Sequence, residues 1–224
     1  MAWVLNNEES FVFKLPFTTY MVGPTGCGKT QLLSQILLNK DGLFNKKVDK
    51  IVFCFNVWQS SYEVFKLLEI DVEFFEGLYD LKNFDKTKVN LLIIDDLMEF
   101  CKDNKEIQNL FSVDSHHKNI SVFLISQNIF IKGKCARDIN LNSSNLIIFN
   151  NPRDRIQIGI VGRQMLGNGK SKAFMEIFND ATDKEGGHGY LFLDFKQETR
   201  QRMRIQTNII PSKIERSIIY TINK

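Results

Sequence analysis

Residues 23–30 read Gly-Pro-Thr-Gly-Cys-Gly-Lys-Thr, which meets the pattern G-x-x-x-x-G-K-[ST] at every fixed position. The chemistry of that pattern is phosphate binding. Its glycines let the backbone curl until successive N–H groups aim at phosphate oxygens. Lys29 is placed to neutralise the β- and γ-phosphates, and Thr30 to offer a hydroxyl to Mg²⁺. Gly23, Pro24, Thr25, Gly26, Cys27, Gly28, Lys29 and Thr30 are therefore the expected ATP contacts. The motif demands a strand before it and a helix after it. Phe17–Val22 supplies a short apolar run. Gln31–Asn39 carries Leu32, Leu33, Ile36 and Leu37 at helical spacing, so its positive end faces the same phosphates.

The rest of the chain fits an α/β fold. Ile51–Phe55, Leu91–Ile94, Val122–Ser126 and Leu146–Phe149 are further apolar runs, rich in β-branched or aromatic residues and too short for helices. Each reads as a strand buried on both faces. Ser60–Leu68 and Glu106–Phe111 are helix-like stretches between them, which predicts a mostly parallel sheet wrapped by helices. Beyond Phe149 the pattern changes. Tyr190–Phe195 and Met203–Asn208 read as paired strands, with a Gly186–Gly189 turn ahead of them and a polar loop at Gly162–Lys172. The expectation is one domain over residues 1–224, with a core at about 10–160 and a C-terminal β extension at about 173–210.

Two more elements complete the expected site. Asp95 and Asp96 follow the run Leu91–Ile94, at the strand end where parallel sheets bind ligands. Asp95 is expected to hold Mg²⁺ directly or through water, and Asp96 to orient or deprotonate an attacking water. Gln127 ends the run Val122–Ser126. If that strand lies beside the phosphate-loop strand, its amide can orient water at the γ-phosphate.

Bulk properties narrow the class. The 224 residues are 43% hydrophobic and 25% charged, an ordinary globular balance, and a net charge of +3 gives no global pull toward nucleic acid. The four cysteines (Cys27, Cys54, Cys101, Cys135) form no CxxC pair, which suits a reduced, intracellular protein. His116 and His117 have no third ligand nearby in sequence. The first residues lack the pattern of a secretory leader. No run reaches the about 18 apolar residues of a membrane span, so a soluble protein is expected. A GTPase should show Asn-Lys-x-Asp after a later strand, and Asn150-Asn151-Pro152-Arg153 does not fit.

Several stretches resemble the FtsK–HerA superfamily of DNA-pumping P-loop ATPases, most of all the genome-packaging ATPases of Polinton (Maverick) elements, adintoviruses and related double-stranded DNA viruses. The poxvirus packaging ATPase is a more distant likeness. The stretches are Pro16-Phe17 running into Gly23–Thr30, Leu92–Leu97, Ser115–Ser121, Ser126-Gln127-Asn128, Arg137–Asn142 and Phe149–Asp154, within a likeness spanning most of residues 10–210. The resemblance implies a P-loop NTPase sheet with an additional strand, ordered 5-1-4-3-2 when the five core runs are numbered along the chain. That order sets Gln127 beside the phosphate loop. It also implies a homo-oligomeric ring, a pentamer or hexamer, with each ATP site at a subunit boundary. Double-stranded DNA is the implied substrate, capsid or portal-vertex proteins the implied partners, and the host nucleus, a cytoplasmic virus factory or the virion the implied place. Where such ATPases often carry Arg ahead of the fourth strand, this chain has His116, His117 and Lys118.

A ring motor needs a cation donated across the subunit boundary. Arg137 and Arg153 are the candidate trans fingers, with Arg155 behind them. Lys132, Lys134, Lys170 and Lys172 on expected loops, and Arg200, Arg202 and Arg204 alternating along an expected strand, are candidate DNA contacts, each with a solvated surface as the plain alternative. The expected activity is Mg-dependent ATP hydrolysis coupled to DNA translocation. Two rivals remain open: a P-loop phosphotransferase acting on a small molecule, and a nucleotide-binding switch with little turnover, both acting without DNA.

Overall fold

The computed structural model describes residues 2–5, 11–130, 133, 135–184, 186–210 and 217–222. Its centre is set by the apolar runs. β2 (Thr18–Val22), β5 (Asn90–Asp95), β6 (Ile120–Ser126) and β7 (Asn145–Phe149) are buried along their whole length. They pair in parallel, with β3 (Lys50–Phe55) and β4 (Glu73–Glu76) continuing beyond β5. Beyond β7 the sheet turns antiparallel through β8 (Tyr190–Asp194), β9 (Ile205–Thr207), β10 (Ile218–Thr221) and β1 (Ala2–Leu5). The order among the described residues is β1-β10-β9-β8-β7-β2-β6-β5-β3-β4. The five expected core strands thus stand in the expected 5-1-4-3-2 order.

Side-chain alternation along these strands feeds two cores. On one face, Met21, Phe53, Phe123, Phe149 and Phe192 pack with Leu33, Ile36 and Leu37 of helix α1 (Lys29–Leu38). On the other, Tyr20, Leu92, Ile94, Val122 and Leu124 pack with Ile158 of α2 (Arg155–Leu166) and with Phe174 and Phe178 of α3 (Ser171–Thr182). Register brings the functional ends level. Val22 lies opposite Ser126, and Asp95 opposite Ile125. The residues that follow β2, β5 and β6 therefore emerge at one sheet edge.

Several expectations are corrected. Gly162–Lys172 is not a loop. It is the end of α2, a 3₁₀ turn at Asn168–Lys170, and the start of α3. Gly162 is buried inside α2, and a Cβ there would stand 2.4 Å from the Phe174 ring. Close helix–helix approach, rather than flexibility, explains that glycine. The first part of the expected β extension, up to Thr182, is helix α3 for the same reason: it packs Phe174, Ile177 and Phe178 under the sheet. Arg200, Arg202 and Arg204 do not share a strand face. The chain makes a 3₁₀ turn at Gln201–Met203, and β9 begins only at Ile205. Arg204 donates to the Asp194 carbonyl at 3.1 Å. β4, β1 and β10 were not anticipated. β4 reads Glu-Phe-Phe-Glu and is largely exposed, so it lacks the buried-run signal.

Candidate active site

The phosphate-loop residues connect β2 to α1. Gly23 N–H donates to the Ser126 carbonyl at 3.2 Å, tying the loop's start to β6. Gly28 caps α1 at φ 101°, a left-handed conformation, and a Cβ on it would stand 2.8 Å from His188 Nδ1. Both facts require glycine there. The following helix has ten residues and carries no acidic residue in its first turn, so its unsatisfied N–H groups present undiluted positive potential. Lys29 folds back over the loop and donates to the carbonyls of Gly23 at 2.6 Å and Pro24 at 2.9 Å. Burial pushes the Cys27 thiol up, opposed by the Lys29 charge, so this cysteine is a packed side chain rather than a thiolate.

Asp95 ends β5 at 7% exposure, and its Oδ2 accepts from the Tyr62 hydroxyl at 2.9 Å. Burial pushes this carboxyl up; the Tyr62 bond and the Lys29 charge pull it back. Burial and the neighbouring Asp95 push the Tyr62 phenol up as well, which keeps it a donor. Asp96 is exposed and sits at φ 57°, a left-handed turn that Asp tolerates better than most residues. Gln127 follows β6 at the same edge. Its turn is braced: the Tyr20 hydroxyl donates to the Asn128 carbonyl at 2.7 Å, and Ser126 Oγ accepts from Asn128 N–H at 3.3 Å.

These groups line one cavity of about 590 Å³. Thr25, Gly26, Gly28, Lys29, Thr30, Asp95, Asp96 and Gln127 all face it. Gly23, Pro24 and Cys27 do not. Gln59, Ser61, Glu99, Asn128 and His188 do, and sequence reasoning missed them. Nothing local marks Gln59, Ser61 or Tyr62: the crossover after β3 brings Gln59 and Ser61 to the cavity and Tyr62 to Asp95. His188 had one signal, its glycine neighbours, which read only as a turn. A metal ion would find hard oxygen donors in Thr30 and Asp95, a set suited to Mg²⁺. Among the described residues no cluster of three or more His, Cys, Asp or Glu could cage an ion.

The arginines lie elsewhere. Arg137 is exposed on the helix Ala136–Asn142, and Arg153 is exposed in the turn after β7, where its N–H donates to Asn151 Oδ1 at 3.1 Å. Arg155 donates to Asn179 Oδ1 at 2.6 Å. None lines the cavity. Lys132 and Lys134 lie outside the described residues, as does the His116 side chain. No described helix is long and apolar enough to cross a membrane.

No protein-family model matches the chain, and no curated protein matches it. Solved structures do. The genome packaging NTPase B204 from Sulfolobus turreted icosahedral virus 2, in complex with AMPPCP, matches with a TM-score of 0.57 and 16% identity over 86% of this chain and 96% of that one. The same protein with ATP-gammaS matches with a TM-score of 0.53 and 15% identity, again over 86% and 96%. The cytoplasmic domain of the Thermomonospora curvata type VII secretion ATPase EccC matches with a TM-score of 0.53 and 14% identity, over 80% of this chain and 24% of that one. At such identities the likeness is one of fold: an α/β P-loop NTPase with a mostly parallel sheet.

Proposed function

We propose that this chain is an ATPase of the FtsK–HerA type that powers packaging of double-stranded DNA into a capsid, nearest in kind to the packaging ATPases of Polinton-like elements and adintoviruses. The observation that carries the reading is convergence. A phosphate loop, two carboxylates and an amide arrive from three neighbouring parallel strands at one cavity, in a chain that shares its fold with a viral genome packaging NTPase.

In this reading the loop amides and the start of α1 hold the phosphates. Lys29 leaves the neutral carbonyls of Gly23 and Pro24 for the anionic β- and γ-oxygens, a stronger charge-assisted bond. Thr30 and Asp95 would hold Mg²⁺, which when bound supplies positive charge against the phosphate oxygens. Tyr62 fixes the Asp95 carboxylate in one rotamer. Asp96, exposed and one residue beyond, accepts the proton of the attacking water, and Gln127 orients that water. The placement of Arg137 and Arg153 outside the cavity suits donation to a neighbouring subunit in a ring of five or six. DNA contact is electrostatic and independent of sequence, as a motor that travels along any duplex requires.

The test is ATP hydrolysis with and without long double-stranded DNA, for the wild type and Asp96→Asn. Strong stimulation by DNA, lost by about 10²-fold or more in Asp96→Asn while ATP still binds, is expected. DNA-independent transfer of phosphate to an acceptor other than water would identify a phosphotransferase instead, and binding without turnover a switch.

A further inference from the structure

A second cleft, of about 300 Å³, adjoins the phosphate cavity and shares Gly28, Gln31 and His188 with it. His188 borders both. The carboxylates approach from β5, two strands to one side of β2; the second cleft opens two strands to the other side, between α1 and the ends of β8 and β9. A triphosphate whose γ end faces Asp95, Asp96 and Gln127 therefore has its other end at Gly28 and Gln31, the mouth of this cleft.

The lining suits a planar heterocycle on a sugar. Gln31 and Gln35 stand one turn apart on α1, and Asn208 faces them, so amide donors and acceptors are available to a base edge. Leu32, Tyr190 and Ile210 supply apolar and ring surface for a base face. The wall between the cavities is also defined. His188 Nδ1 lies 3.3 Å from the Cys27 carbonyl, which can only accept, so Nδ1 carries the proton. His188 is thereby tied to the loop backbone.

We propose that this cleft takes the nucleoside end of the nucleotide, with His188 as the positioning residue that holds the phosphate loop against it. The proposal rests on the reading of Gly23–Thr30 as the phosphate site.

The test compares two probes on the full chain by calorimetry: AMPPCP, which has a nucleoside, and inorganic tripolyphosphate, which has none. Gln35→Trp fills the cleft and Asn208→Gly removes an amide while keeping a residue suited to the left-handed backbone there, φ 52°. Both should weaken AMPPCP by about tenfold, the loss of one good contact, and leave tripolyphosphate unchanged, which also reports an intact fold. His188→Ala should weaken AMPPCP likewise, and His188→Asn, whose amide nitrogen stands where Nδ1 does, should restore it. A Gln35→Trp or Asn208→Gly variant that changes neither probe, or both equally, overturns the cleft assignment while the phosphate site stands, and a His188→Ala variant that binds AMPPCP as the wild type does overturns the positioning role. A wild type that binds neither probe overturns the phosphate site itself.

Discussion

Asp95 is a carboxylate held where water barely reaches, and its chemistry opposes its comfort. Burial raises its pKa above the ordinary carboxylate value, although the Tyr62 hydroxyl and the Lys29 ammonium favour the charged form. Between the ordinary value and the raised one, the folded chain binds more protons at Asp95 than the unfolded chain does. Stability contributed by this group therefore falls as pH rises through that window, and the full penalty stands above it. Asp95→Asn keeps an acceptor for Tyr62 and removes the charge. We expect thermal melts at pH 7 to rise by about 2–4 °C, roughly 1 kcal/mol for a chain of this size, while hydrolysis is lost. A lower melting point would mean that Tyr62 and Lys29 stabilise the charged form by more than burial costs it.

At the scale of elements, the α2–α3 hairpin tests whether glycine serves packing or merely lowers helix propensity. Gly159 and Gly162 both lie in α2, three residues apart. A Cβ at Gly159 meets nothing within 4 Å, whereas one at Gly162 would collide with the Phe174 ring. Gly159→Ala should therefore stabilise by about 1 kcal/mol through helix propensity. Gly162→Ala gains the same propensity but forces apart two packed helices, and overpacking costs about 1–3 kcal/mol. Urea unfolding midpoints should move in opposite directions. If both variants gain stability, α2 and α3 yield to the added methyl, and the close approach is not what selects glycine.

For the whole molecule, no arginine among the described residues lines the cavity. Arg137, Arg153 and Arg155 all lie off the cavity lining, and in the proposed ring motor the finger is donated by a second copy. Hydrolysis per chain should then climb faster than linearly with protein concentration until rings are complete. Alanine at the true finger should lower turnover by about 10³–10⁵ and leave nucleotide binding intact. Wild-type turnover in Arg137→Ala, Arg153→Ala and Arg155→Ala alike would move the finger to another residue.

What the sequence determined by itself was local. The run Phe17–Val22, the eight residues of the phosphate loop and the helical spacing after it are one continuous stretch, and backbone preference plus burial decide such a stretch without reference to distant residues. The apolar runs Leu91–Ile94 and Val122–Ser126 were legible for the same reason. Strand order was not: it came from resemblance, because apolar periodicity says that a strand is buried but not beside which neighbour. The tertiary structure alone decided what faces what. Tyr62 meets Asp95 across 33 residues, and His188 meets Cys27 across 161. The helical fate of Gly162–Lys172 was hidden likewise, since three glycines and a polar run signal a loop until Phe174 arrives to pack on one of them. Contacts of that kind depend on register and crossover, which no local pattern encodes.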